Sequence, residues 1–211
     1  MYLELVQRSK ELFTADFDIV EKNSTVGSLN LKGKLGSLDA NISIQYRGNE
    51  MTLTPGVHDF EIIAKKPFRP YTIAFNGTNK GVISQTEIKT GMFSKIVFLQ
   101  IEIGGMIYEI YPIGFGNDGA KNPIYVGNDQ RGLIEKDCEI INDLHNYKIT
   151  CVDELSAVTG LLFAAYMYVN AAFKPGVAVT KSVHKVISKT TNKALLQKYD
   201  PSFKGKYLKW L

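Results

Sequence analysis

The chain has 211 residues, of which 45% are hydrophobic and 22% charged, with two cysteines and a formal net charge of +4. That length can bury one large core without staples, and Cys138 and Cys151 are too few for the disulfide framework of a small secreted domain. The charge is uneven: residues 1–173 carry 16 Lys+Arg against 20 Asp+Glu (net −4), whereas residues 174–211 carry nine lysines against Asp200 (net +8). An acidic body with a basic tail says more than the total does.

The opening, "MYLELVQRSKELF", lacks the basic-then-apolar layout of a secretion signal, so the expectation is a cytoplasmic protein with free thiols. Strand signals run from there to about residue 151, and roughly twelve short strands are predicted. "NISIQYRGNEMTL" (41–53) reads as two strands around Gly48-Asn49. "YTIAF" (71–75) alternates and ends in Asn76-Gly77. "KIVFLQIEIGGMIYEIYP" (95–112) is a hairpin, because Gly104-Gly105 can take positive φ at both turn positions. One pattern occurs three times. An isoleucine (Ile19, Ile73, Ile124) is followed eight residues later by a glycine (Gly27, Gly81, Gly132), with an Asn-rich polar middle and an aliphatic residue two positions beyond. This reads as one hairpin design repeated, in which the glycine marks where the chain re-enters the sheet.

"DELSAVTGLLFAAYMYVNAAFKPG" (153–176) is uncharged between Glu154 and Lys174. Asp153 is placed to cap a helix, Glu154 complements its dipole, and Pro175-Gly176 stops it. Nineteen residues would span about 28 Å, enough for a bilayer. Asn170, Ser156, Thr159 and two tyrosines argue against crossing, and Gly160 and four alanines suit close packing on every side. A sheet of about twelve strands closes into a barrel too wide for its own side chains to fill, and a helix apolar all round is what that barrel needs. The predicted architecture is a closed antiparallel barrel around a central helix (1–175), followed by a basic, helical extension (176–211).

Chemical motifs are few. "GFGNDG" (114–119) matches G-x-G-x-x-G, but the strand-like "AKNPIYV" follows where a dinucleotide site needs a helix. It reads as a loop between strands. Asp118 and Asp129 sit in turns without the further carboxylates of a calcium loop. His58, His145 and His184 show no metal spacing with the cysteines, and Glu50, His58, Asp59 and Glu61 supply no nucleophile–base pair. No catalytic residue, metal site or cofactor is expected.

The tail carries the site prediction. Lys181, Lys185, Lys189 and Lys193 recur every four residues and would align on a helix face, at a cost from like-charge repulsion unless something anionic meets them. "FKGKYLKWL" interleaves Lys204, Lys206 and Lys209 with Tyr207 and Trp210, a mixture suited to a membrane surface. The predicted contacts with anionic phospholipid, or with a protein partner, are Lys181, Lys185, Lys189, Lys193, Lys204, Lys206, Lys209 and Trp210. The plainer alternative is a solvated basic helix packed on the barrel, with Trp210 as its anchor. Nucleic acid ranks last, since no recognition motif accompanies the charge.

"YTIAFNGTNKGVIS", "NPIYVGNDQRGLIEK" and "YKITCVDE", followed by a long hydrophobic helix, resemble the tubby C-terminal-like superfamily, nearest its LURP-one-related and phospholipid-scramblase branch. The resemblance covers about residues 10–173. It implies a twelve-stranded barrel threaded by a hydrophobic helix, and an association with membrane lipid. The acidic calcium segment and the palmitoylated cysteine cluster of scramblases are not found here. No lipid-binding position of tubby can be matched to a residue, so none is carried over.

Overall fold

A computed structural model of the chain describes residues 1–34, 40–56, 69–91, 95–179 and 181–208. In chain order the first strands are β1 (Tyr2–Lys10), β2 (Thr14–Glu21), β3 (Ser24–Gly33), β4 (Ala40–Tyr46), β5 (Asn49–Pro55), β6 (Tyr71–Phe75) and β7 (Thr78–Lys89). Next come β8 (Lys95–Ile103), β9 (Met106–Ile110), β10 (Ile113–Gly116), β11 (Ala120–Val126), β12 (Asp129–Lys136), β13 (Glu139–Ile141) and β14 (Asn146–Cys151). The helix α1 (Glu154–Ala171) follows. The extension holds β15 (Val183–Lys185), β16 (Ser188–Lys189), α2 (Lys193–Leu196) and α3 (Phe203–Leu208).

Twelve of these strands form a closed antiparallel ring. β1 to β9 pair in sequence, β9 passes to β11, then come β12 and β14, and β14 returns to β1 with Leu3 opposite Ile149. The ring leaves no edge of its own for another chain to extend. β10 adds to the margin of β11, and β13 leaves the ring altogether. Turn chemistry sets the registers. Arg47-Gly48, Asn76-Gly77 and Gly104-Gly105 all have positive φ, the type I′ requirement for two-residue hairpins. The first of these turns lies one residue earlier than the sequence suggests, so Asn49 already belongs to β5.

The repeated Ile–Gly pattern is a repeated piece of geometry. Ile19 pairs with Gly27, Ile73 with Gly81 and Ile124 with Gly132, and in every case the register shifts immediately after the isoleucine. Each hairpin therefore carries the same bulge, which bends its strand and sharpens the twist that ring closure needs. At Gly27 and Gly81 a Cβ would stand 2.1 Å from the carbonyl oxygen of Gln45 or Glu102 on the next strand. Only glycine admits that approach.

The helix α1 fills the ring. The Asp153 carboxylate accepts from the Ser156 N–H at 2.8 Å, capping the N-terminus as predicted. Every residue from Ser156 to Tyr166 is buried, so no helix face meets solvent. Phe163 is surrounded by barrel side chains in a core that draws on both sheet and helix. Two tyrosine hydroxyls carried inside find partners: that of Tyr166 donates to the Arg69 carbonyl at 2.7 Å, and that of Tyr168 accepts from the Gln7 amide at 2.8 Å. Among the described residues, no helix is long and apolar enough to cross a membrane.

Candidate functional site

Both ends of the ring are occupied by the protein's own groups. At the helix N-terminus, Arg131 binds Asp153 at 2.5 Å and Asp129 at 3.0 Å, while Arg47 bridges Glu21 and Glu154. Burial pushes the Asp153 carboxyl up, but the Ser156 N–H and Arg131 outweigh it and hold the carboxyl below its ordinary range. At the other end, Gln7 joins β1 to the helix and to β14. Its amide donates to Tyr168, and its carbonyl accepts from the His145 N–H at 2.8 Å. Burial drives the His145 imidazole down to about 3, helped by Lys136 and Lys10. Burial also lowers Lys136 to about 8, and its ammonium rests 5.3 Å from the centre of the Tyr147 ring. These groups hold the plug. Among the described residues, no three His, Cys, Asp or Glu side chains converge to hold a metal ion.

The former motif candidates have structural duties. "GFGNDG" is the end of β10 and the tight turn into β11, with positive φ at Gly116 and Gly119. At Gly114 a Cβ would meet the Ser188 carbonyl oxygen at 2.3 Å, so this glycine admits β16 alongside β10. Cys138 and Cys151 are free and buried, and burial pushes the Cys151 thiol up to about 12. Glu50 pairs with Gln45 in a hairpin ladder. His58, Asp59 and Glu61 lie outside the described residues.

The extension divides into two halves with different chemistry. From Asn192 onward it is helical and docked. Leu195, Leu196 and Tyr199 pack on an outer apolar cluster of Ile96, Phe98, Tyr111 and Ile113. The Lys198 ammonium sits 4.6 Å from the Tyr111 ring centre and 5.1 Å from that of Tyr125, while the Tyr125 hydroxyl donates to the Lys198 carbonyl at 2.8 Å. Lys204 binds Glu135 at 2.5 Å, a carboxylate that also holds Lys121. Lys206 pairs with Asp200 at 2.9 Å.

The first half corrects the expected lysine stripe. Residues 183–189 are two short strands, so Lys185 and Lys189 do not share a helix face with Lys181. The reason is tertiary: β13 and β10 offer unpaired ladder groups to a segment rich in valine and isoleucine. Lys181, Lys185, Lys189 and Lys193 are all exposed. Among the described residues, no carboxylate lies within salt-bridge distance of any of the four. Between them stand Val183 (63% exposed), Val186 (55%) and Ile187 (59%), with Ile141 (52%) across the β13–β15 ladder from Val183. Basic and aliphatic side chains thus stand exposed along the same segment. Lys209 and Trp210 lie outside the described residues. Ile141 and the Tyr111–Tyr125 seat for Lys198 have no local signal in the sequence, since both are made by pairing across about 40 to 90 residues.

No family model matches the chain, and neither a curated protein nor a solved structure matches it.

Proposed function

We propose that the protein is a non-catalytic binding module that attaches to anionic phospholipid at the cytoplasmic face of a membrane, through residues 177–193. The observation that carries this reading is a run of four exposed lysines, none within salt-bridge distance of a carboxylate among the described residues, interspersed with exposed Val183, Val186 and Ile187 and with Ile141 across the ladder. Lysines near an anionic lipid surface contribute about 1 kcal/mol each, and the valines and isoleucines between them have apolar area to bury at the headgroup boundary. The barrel supplies a rigid base, and the docked helices fix where the segment leaves it. Two free thiols support a reducing compartment. The ring of twelve strands around one helix supports the resemblance to the tubby C-terminal-like superfamily, and membrane association in that superfamily accords with the reading.

Co-sedimentation with vesicles tests it. The full chain should bind vesicles containing phosphatidylglycerol and ignore vesicles of phosphatidylcholine alone. A Lys181→Glu/Lys185→Glu/Lys189→Glu variant should lose affinity on the order of 100-fold, from three lysine contributions. Equal binding by both proteins would overturn the proposal. A soluble protein partner would be favoured instead if neither bound vesicles.

A further inference from the structure

The ring itself has no open edge, but the extension creates one. Residues 182–190 lie first beside β13 and then beside β10. Three backbone bonds fix which side of this segment faces the rest of the protein. The Ser182 carbonyl accepts from the Asn142 N–H at 2.8 Å, the Val186 N–H donates to the Cys138 carbonyl at 2.8 Å, and the Thr190 N–H donates to the Gly114 carbonyl at 2.9 Å. These residues are four apart, so the even-numbered positions turn their backbone groups inward. Val183, Lys185, Ile187 and Lys189 turn theirs outward. Among the described residues, none of those four amides has a hydrogen-bond partner. The far side of β13 is different: its Ile141 carbonyl accepts from the Leu144 N–H at 3.0 Å, and the chain's own turn closes it.

We infer that this edge takes an acidic, extended peptide segment of a partner protein as an added strand, hydrogen-bonded to the backbone of Val183, Lys185, Ile187 and Lys189. An open edge is a template for a further strand. The side chains along it select the partner. Lys185 and Lys189 alternate with Val183 and Ile187, which are 63% and 59% exposed. A strand carrying carboxylates and aliphatic side chains in the same alternation would set a complement across the ladder from each. A second copy of this chain would not: any antiparallel register that sets aliphatic on aliphatic also sets lysine on lysine. Lysines alone would merely guard an edge, but Val183 and Ile187 gain by being covered. Nothing in this pairing requires lipid, although the partner's carboxylates would share Lys185 and Lys189 with the lipid surface proposed above.

The test is a titration of the full chain, free of vesicles, with a short peptide of alternating glutamate and valine, followed by amide resonances. Binding should saturate and should move the amides of Val183, Lys185, Ile187 and Lys189 more than those of His184 and Val186, which keep their place in the existing ladder. Val183→Pro removes one outward donor without touching the bonds to β13, and should weaken binding about tenfold. Lys185→Glu should weaken it to a similar degree by setting like charges across the ladder. Methylation of alternate amide nitrogens in the peptide should abolish binding. A peptide that fails to bind, that shifts both sets of amides evenly, or that binds equally well when methylated would overturn the inference. Self-association of the chain through the same four amides would overturn it too. None of these results bears on attachment to vesicles, which co-sedimentation tests separately.

Discussion

The central helix and the first half of the extension are separated by only a few residues, yet they satisfy their groups in opposite ways. From Ser156 to Tyr166 every side chain is enclosed, and the hydroxyls of Tyr166 and Tyr168 reach internal partners at Arg69 and Gln7. From Lys181 to Lys193, lysines stand without carboxylates among the described residues, and aliphatic side chains are exposed. The first pattern is what folding requires; the second leaves charged and apolar groups that folding does not use, and the proposed lipid surface would cover them. The helical end of the extension lies between the two, docked but with exposed lysines in its ion pairs.

Substitutions should reproduce that gradient. Phe163→Ala, at 1% exposure inside the ring, should cost about 3–5 kcal/mol in denaturant unfolding, because the plug cannot collapse onto the cavity left behind. Acid should come next. His145 is held neutral in the folded state, down to about 3, by burial and by Lys136 and Lys10, with Asp143 opposing them. Its ordinary value near 6.5 applies when unfolded. The unfolded chain therefore binds the extra proton. Stability is complete above about pH 6.5 and falls by up to about 1.4 kcal/mol per pH unit as pH drops toward 3. A His145→Phe variant should show a flatter pH dependence, and an unchanged slope would contradict the assignment. Tyr168→Phe removes one hydroxyl from the Gln7 amide, which keeps its bond to the Ser9 carbonyl, and should cost about 1 kcal/mol. Lys204→Ala leaves Glu135 with Lys121 and, at a partly exposed pair, should cost no more than about 0.5 kcal/mol. The lysine reversal at 181, 185 and 189 should leave the melting temperature within about 2 °C while weakening attachment to vesicles on the order of 100-fold. A large stability loss there would break the comparison.

Much of the fold was legible because its signals are local. Alternation along residues 95–103, the Gly104-Gly105 turn and the Asp153 cap are each set by neighbours within a few positions. The Ile–Gly spacing of eight was readable as a repeat, and it turned out to encode a shared bulge and a close backbone approach. The first half of the extension defeats local reading, because lysines four apart imitate a helix period while the strand partners, β10 and β13, lie more than forty residues upstream. The same distance hides which lysines are free. Nothing near Lys204 announces Glu135, and nothing near Lys185 announces that no carboxylate among the described residues pairs with it. The residue types of the candidate surface were visible in the sequence; their division into docked and free was not.

Hydrogen exchange of the full chain, with and without phosphatidylglycerol vesicles, tests the account most directly. Residues 181–189 should gain protection on vesicles, while 194–208, already docked on the barrel, should exchange as before. Protection confined to 194–208, or absent from the extension altogether, would contradict it.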